Sequence, residues 1–303
     1  MASELLKEGY KATDVARALR ISRSNFYSIS HSANVKQCER ADDKHILERI
    51  KSITSEHPFW GYRRVWAWLK HRDGYLINRK RVYRIMKENA LLVVQRPKKA
   101  KRTPQKSKPK PIRPREWWGI DMTKFMIPNL GWVYLVIVLD WFNKKIVGYN
   151  VGLRSRSKEW RDAMEMAVMK ECSYGSREES IALVSDNGSQ PTSLSFMKDM
   201  AILGLKQVFT SYDNPKGNAD TERVMRTLKE ELLWLEEFES LEEARQKISS
   251  WIEVDYNLMY VHSALGYMSP EEFDRKWCEV NSTSIRQSLR DTEQVKETLS
   301  YLS

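Results

Sequence analysis

Cysteine is scarce: Cys38, Cys172 and Cys278 are the only three in 303 residues, and they lie far apart. That spacing excludes a disulfide framework and a Cys-x-x-Cys zinc knuckle, and the five histidines make no tight ligand spacing with the cysteines. A reducing, cytoplasmic setting follows. No apolar run approaches the ~20 residues of a membrane span, and the N-terminus lacks a signal-peptide core, so no membrane partner is expected. Proline is also sparse except in one place: five of the ten fall between residues 96 and 115. Acid is short in the first third of the chain. By count, residues 1–115 carry about 29 basic and about 10 acidic side chains, roughly +19, which leaves about −8 for residues 116–303 out of a formal net charge of +11. A polyanionic partner fits the basic part, with double-stranded DNA and a nucleoid association as the expectation, and a carboxylate site fits the acidic part.

What is present is a set of segments in order. Residues 1–40 suggest a first helix-turn-helix, with Thr13 and Ser22 placed to cap short helices, Val15, Ala16, Leu19, Ile21 and Phe26 as its apolar interval, and Arg23 at the start of a recognition-type helix. Residues 41–95 suggest a second helical module. Ile46, Leu47, Ile50 and Ile53 mark one face of a helix over 41–56, and Val82, Ile85 and Met86 would turn inward on a later helix while Arg79, Lys80 and Arg84 stay outside. Between them stands Gly61-Tyr62-Arg63-Arg64, which makes Arg63 and Arg64 further candidates for DNA contact. The span 96–115, rich in proline, lysine and arginine, reads as an extended linker.

Three strand patterns follow, Trp117–Phe125, Trp132–Asp140 and Lys145–Val151, joined by short turns that predict an antiparallel meander. A helix over Ser157–Lys170, a buried strand Ile181–Val184, a helix over Ser193–Leu203 and a strand Lys206–Thr210 complete an α/β pattern. Asp186 stands in the loop where the buried strand surfaces, in Ser185-Asp186-Asn187-Gly188. Glu222 lies near the start of a helix that Asn218 is placed to cap, and Arg226 and Lys229, four and seven residues on, share its face. Asp121 sits upstream in a strand. Three such acids suit divalent cations and phosphoryl chemistry, and Asp140, also at a strand end, is a rival for the first of them. Capping boxes at Ser240 to Glu243 and Ser269 to Glu272 open two later helices.

The motifs Trp118-Gly119-Ile120-Asp121-Met122-Thr123, Ser185-Asp186-Asn187-Gly188-Ser189-Gln190, Lys216-Gly217-Asn218 with Glu222 and Lys229, and Tyr256-Asn257 through His262-Ser263-Ala264-Leu265-Gly266-Tyr267 resemble the core of DDE transposases and retroviral integrases, above all the OrfB-type transposases of bacterial insertion sequences. The resemblance spans roughly residues 45–275, and Gly61 to Met86 is similar to the family's helix-turn-helix. It implies an α/β, ribonuclease-H-like catalytic core with a mixed five-stranded sheet over 116–275, helical modules before it and a tail over 276–303. In that fold the first strand lies beside the fourth, which favours Asp121 over Asp140. The implied triad is Asp121, Asp186 and Glu222, holding two Mg²⁺ ions, with Mn²⁺ as a substitute, and Lys229 would contact the DNA end. The implied activity is cleavage of inverted-repeat ends and strand transfer into target DNA by a homo-oligomer, with or without a protein from an upstream reading frame. The alternative is a DNA-binding repressor that has lost catalysis. A ribonuclease-H-like nuclease that only hydrolyses is a third reading.

Overall fold

The computed structural model describes residues 12–18, 43–93, 109–173, 175–210 and 217–281. Arg23 with its expected recognition helix, linker residues 96–108, the turn-rich loop containing Lys216 and most of the 276–303 tail lie outside the described residues. The chain divides into two compact units, Met1–Ser52 and Ile53–Ser303. In the first, α1 covers Ala12–Ala18, so Thr13 lies inside that helix and not at its cap. Helix α2, Asp43–Glu56, crosses the division and buries Ile46, Ile50 and Ile53, spaced to fall on one face, with Leu47 half-buried.

The second unit opens with a helical pair, α3 (Tyr62–His71) and α4 (Arg79–Glu88). Val65, Ala67 and Leu69 are buried on one and Val82, Ile85 and Met86 on the other, as the pattern predicts. Asn78 caps α4 by accepting from the Lys80 N–H at 2.9 Å, and Trp66 Nε1 donates to the Ile77 carbonyl at 2.9 Å, which fixes the connection. Arg72 reaches the distant Glu272 through two bonds of 2.6 and 2.9 Å.

The sheet contains β1 (Trp117–Ile127), β2 (Gly131–Asp140), β3 (Ile146–Gly152), β4 (Ala182–Ser185) and β5 (Lys206–Phe209), in the spatial order β3-β2-β1-β4-β5. The first three form the expected antiparallel meander, while β4 runs parallel to both β1 and β5. The turn after β1 uses Asn129 and Gly131, which accept a left-handed backbone, while the turn after β2 places Lys144 in that region. Helices α5 (Ser157–Glu171) and α6 (Leu194–Ile202) contribute Trp160, Ala163, Met164, Phe196 and Met200 to a core that includes Trp118, Ile120, Val136, Val138 and Leu183 from the sheet. A β-carbon on Gly148 would lie 2.2 Å from the Ala163 carbonyl, so glycine lets α5 settle on β3. Strand directions, order and flanking helices make this the ribonuclease-H-like α/β fold.

Side chains alternate along a strand, so Trp118 and Ile120 enter that core while Gly119 and Asp121 face the other way. On that other side lies α7 (Ala219–Leu228), which continues as wider π turns over Lys229–Leu233. Helix α8 (Leu241–Ser250) continues in the same manner over Trp251–Met259. Ser240 accepts from the Glu243 N–H at 3.1 Å, but the Glu243 carboxylate reaches the Glu239 N–H instead of closing the box on Ser240. The second capping box is complete: Ser269 and Glu272 exchange bonds of 2.8 and 3.2 Å at the start of a helix over 270–281.

Candidate active site

Register brings the first two acids together. Gly119 pairs with Val184 in the parallel β1–β4 ladder, so Asp121 and Asp186, each two residues further on, reach the same level of neighbouring chains. The third acid arrives by close packing. A β-carbon on Gly119 would lie 2.1 Å from Thr221 Oγ1, 2.4 Å from Trp141 Nε1 and 2.8 Å from Asn218 Oδ1, so only glycine lets the start of α7 lie on β1. Two buried bonds hold it there: Trp141 Nε1 donates to Thr221 Oγ1 at 3.1 Å, and Asn218 Nδ2 donates to the Ile120 carbonyl at 3.1 Å. Asn218 thus corrects the sequence expectation. It occupies the N-cap position, but its side chain makes no cap bond and is spent on the neighbouring strand.

Burial raises the Asp121 carboxyl to about 6, and the charges of Asp186 and Glu222 push in the same direction. The Met122 N–H, which Asp121 Oδ1 accepts at 2.8 Å, and the ammonium of Lys229 oppose them. The three acids therefore act on one another, and Lys229 faces them. Their oxygens are not closed around a point. Asp186 Oδ1 accepts from the Gly188 N–H at 3.0 Å, and among the described residues no three His, Cys, Asp or Glu side chains gather tightly enough to enclose a metal ion.

Asp140 has a different role. Its oxygens accept from the Arg115 N–H at 2.7 Å, the Phe142 N–H at 2.8 Å and Trp118 Nε1 at 3.1 Å. It is buried opposite Trp118 at the end of the β1–β2 ladder, with its carboxyl pushed up to about 6 by burial, and it acts as a structural clasp.

The cations expected to meet DNA separate into two groups. Arg63, Arg79 and Lys80 are exposed on α3 and α4. Arg64, Arg84 and Arg226 are engaged by Glu231, Glu88 and Glu230 at 3.0, 3.0 and 2.8 Å. Glu231 also accepts from Trp60 Nε1 at 2.8 Å, and Arg64 lies over the Tyr260 ring at 4.8 Å. Sequence reasoning missed Glu231, Gly119 and Arg223. The last had a signal in plain view, since it adjoins Glu222 on a helix.

A mixed five-stranded sheet with Asp121 within β1, Asp186 just past the end of β4 and Glu222 in the first turn of α7 matches the polynucleotidyl-transferase class. Residues 111–215 and 203–270 each match the Integrase core domain family, and residues 40–99 match the HTH-like domain family. The chain is 32% identical to the transposase for insertion sequence element IS904 of Lactococcus lactis, over 76% of this chain and 93% of that one. It is 29% identical to transposase InsD for insertion element IS2 of Escherichia coli, over 91% of this chain and 94% of that one. It is also similar to a solved HTLV-2 integrase catalytic core domain in complex with magnesium, at 15% identity, 55% and 99% coverage and a TM-score of 0.41. The chain belongs to the insertion-sequence transposases of the DDE polynucleotidyl-transferase type.

Proposed function

We propose that Asp121, Asp186 and Glu222 are the catalytic acids and that they hold divalent cations, Mg²⁺ in the first instance, for cleavage and joining of DNA. The observation that carries this reading is the in-register approach of β1 and β4 beneath α7. The residues suit the metal: carboxylate oxygens are hard ligands, and like charge has been gathered on a part-buried Asp121 with Lys229 as its counterweight. Bound there, the ions would supply Lewis-acid polarisation of a phosphoryl oxygen and a reactive oxygen nucleophile.

The chain's own groups do the rest. The strand position of Asp121 and the place of Asp186 just past β4 fix where the scissile phosphate is presented, and Lys229 offers a cation to its non-bridging oxygens. In the first step a water oxygen bonds to phosphorus and the 3′ oxygen departs as a free hydroxyl. In the second that hydroxyl attacks a target phosphodiester, one ester bond forming as another breaks. No side-chain nucleophile is required. Arg63, Arg79 and Lys80 on the helical pair bind element ends, and joining two ends engages at least two copies of the chain on DNA.

Strand transfer with labelled inverted-repeat ends and Mg²⁺ tests the reading. Loss of both products in Glu222→Gln supports it. Equal cutting and joining by Glu222→Gln overturns it, and a wild-type chain that binds ends but never cuts them selects a DNA-binding repressor instead.

A further inference from the structure

Helix α7 has a second working face. Glu222, Arg226 and Lys229 form one stripe, while Asp220, Arg223, Val224 and Thr227 recur at helical spacing on the opposite flank and line a cavity of about 440 Å³. Its other walls come from Phe59 and the start of α3, from Arg79, and from the segment Tyr260 to Tyr267. Five cationic side chains line it against a single acid, Asp220, which pairs with Lys144 at 3.0 Å. Arg64 is answered by Glu231. That leaves Arg63, Arg79 and Arg223, with no carboxylate at ion-pair distance among the described residues. Their charge is not offset inside the cavity, so it selects an anion.

The cavity is also too large and too aromatic for an oxyanion alone. Its volume falls in the range of small-ligand sites, roughly 300–1,000 Å³. Phe59 is 41% exposed at the rim, and the half-buried Tyr267 is held edge-on by Trp66 at 5.4 Å, a rigid ring beside a charged floor. Arginine with an aromatic platform is the chemistry that binds single strands: phosphate on the guanidinium, base on the ring.

We infer that this cavity is a nucleotide pocket that takes one unpaired nucleotide of a DNA strand, its phosphate on Arg63, Arg79 and Arg223 and its base against Phe59 and Tyr267. The inference rests on the reading of this chain as a DNA-joining enzyme and adds a station for the strand across α7 from Glu222. A helix is about 10–12 Å across, so pocket and carboxylates could grip one strand at nearby nucleotides.

The test is equilibrium binding of the full chain, in EDTA, to a fluorescein-labelled oligodeoxythymidylate pentamer and to a blunt inverted-repeat duplex. Arg223→Ala and Tyr267→Ala should each weaken the pentamer about tenfold and leave duplex affinity within about twofold. If Tyr267→Ala melts early, the exposed Phe59→Ala carries the same expectation. The pocket is overturned if the wild-type chain ignores the pentamer, if both DNAs weaken alike, or if inorganic phosphate competes as well as thymidine monophosphate. Because no metal is present, the outcome separates from the catalytic one. A chain that joins ends in Mg²⁺ but ignores the pentamer loses the pocket and keeps the triad, and one that binds the pentamer but never cuts does the reverse.

Discussion

Asp121 and Asp186 stand at one level of the sheet because Gly119 and Val184, two residues before them, are partners in the parallel β1–β4 ladder. Neither acid has to travel to meet the other. The arrangement concentrates negative charge on a part-buried carboxyl, a state that costs stability until a cation answers it. Asp121→Asn should therefore raise the melting temperature of the metal-free chain while abolishing strand transfer. Mg²⁺ at about 100 times its dissociation constant should stabilise the wild-type chain by roughly 2.7 kcal/mol and leave the variant unmoved. Thermal melts with and without Mg²⁺ check both halves.

Gly119 permits the approach of α7, so Gly119→Ala must displace the helix that carries Glu222. With Thr221 Oγ1 and Trp141 Nε1 at 2.1 and 2.4 Å from the new carbon, a cost of about 1–3 kcal/mol is expected from overpacking. Activity should fall further than stability. Retained strand transfer in a folded Gly119→Ala chain would contradict the role given to this contact.

Glu231 should give the second unit a pH dependence. Burial pushes its carboxyl up to about 7, outweighing the pull of Arg64 and the Trp60 bond. The folded chain thus keeps a proton that the unfolded chain releases near 4.5, and this group's contribution to stability declines as pH rises from about 4.5 towards 7. Glu231→Gln should flatten that decline and keep a partner for Trp60 Nε1. Glu231→Ala, which leaves Arg64 and Trp60 Nε1 without their carboxyl partner, should destabilise the chain more than Glu231→Gln across the whole range. Denaturant titrations between pH 5 and 8 measure each slope.

Lys229 and Arg226 share a stripe with Glu222 but differ in availability. Arg226 is tied to Glu230, whereas Lys229 acts on Asp121. Lys229→Ala should lower strand transfer by about ten- to a hundredfold at saturating metal, as loss of one charge-stabilising group does. Arg226→Ala should change it by about twofold at most. Equal losses in single-turnover assays would remove the distinction.

Much of this was legible in the sequence. Alternation and turn residues marked the meander, a capping serine marked the start of α8, and the three acids stood within a strand, just past one and near a helix start. The parallel pairing of β1 with β4 was not, because strands distant in sequence choose neighbours through tertiary packing, and only the resemblance supplied it. Asn218 shows the same limit. Its Oδ1 had a local donor in reach, the first turn of α7, but the side chain is oriented instead by its Nδ2, which donates to a strand carbonyl distant in sequence. Arg64 looked like a free cation because nothing local revealed Glu231, which lies 167 residues away.

Glu231 also lies two residues beyond Lys229, inside the π turn that ends α7. Trp60 and Arg64 hold it from the base of α3, so α3 and the turn that carries Lys229 are joined at one buried carboxylate. A change at that one carboxylate therefore reaches the base of α3 and the turn that carries Lys229 at the same time.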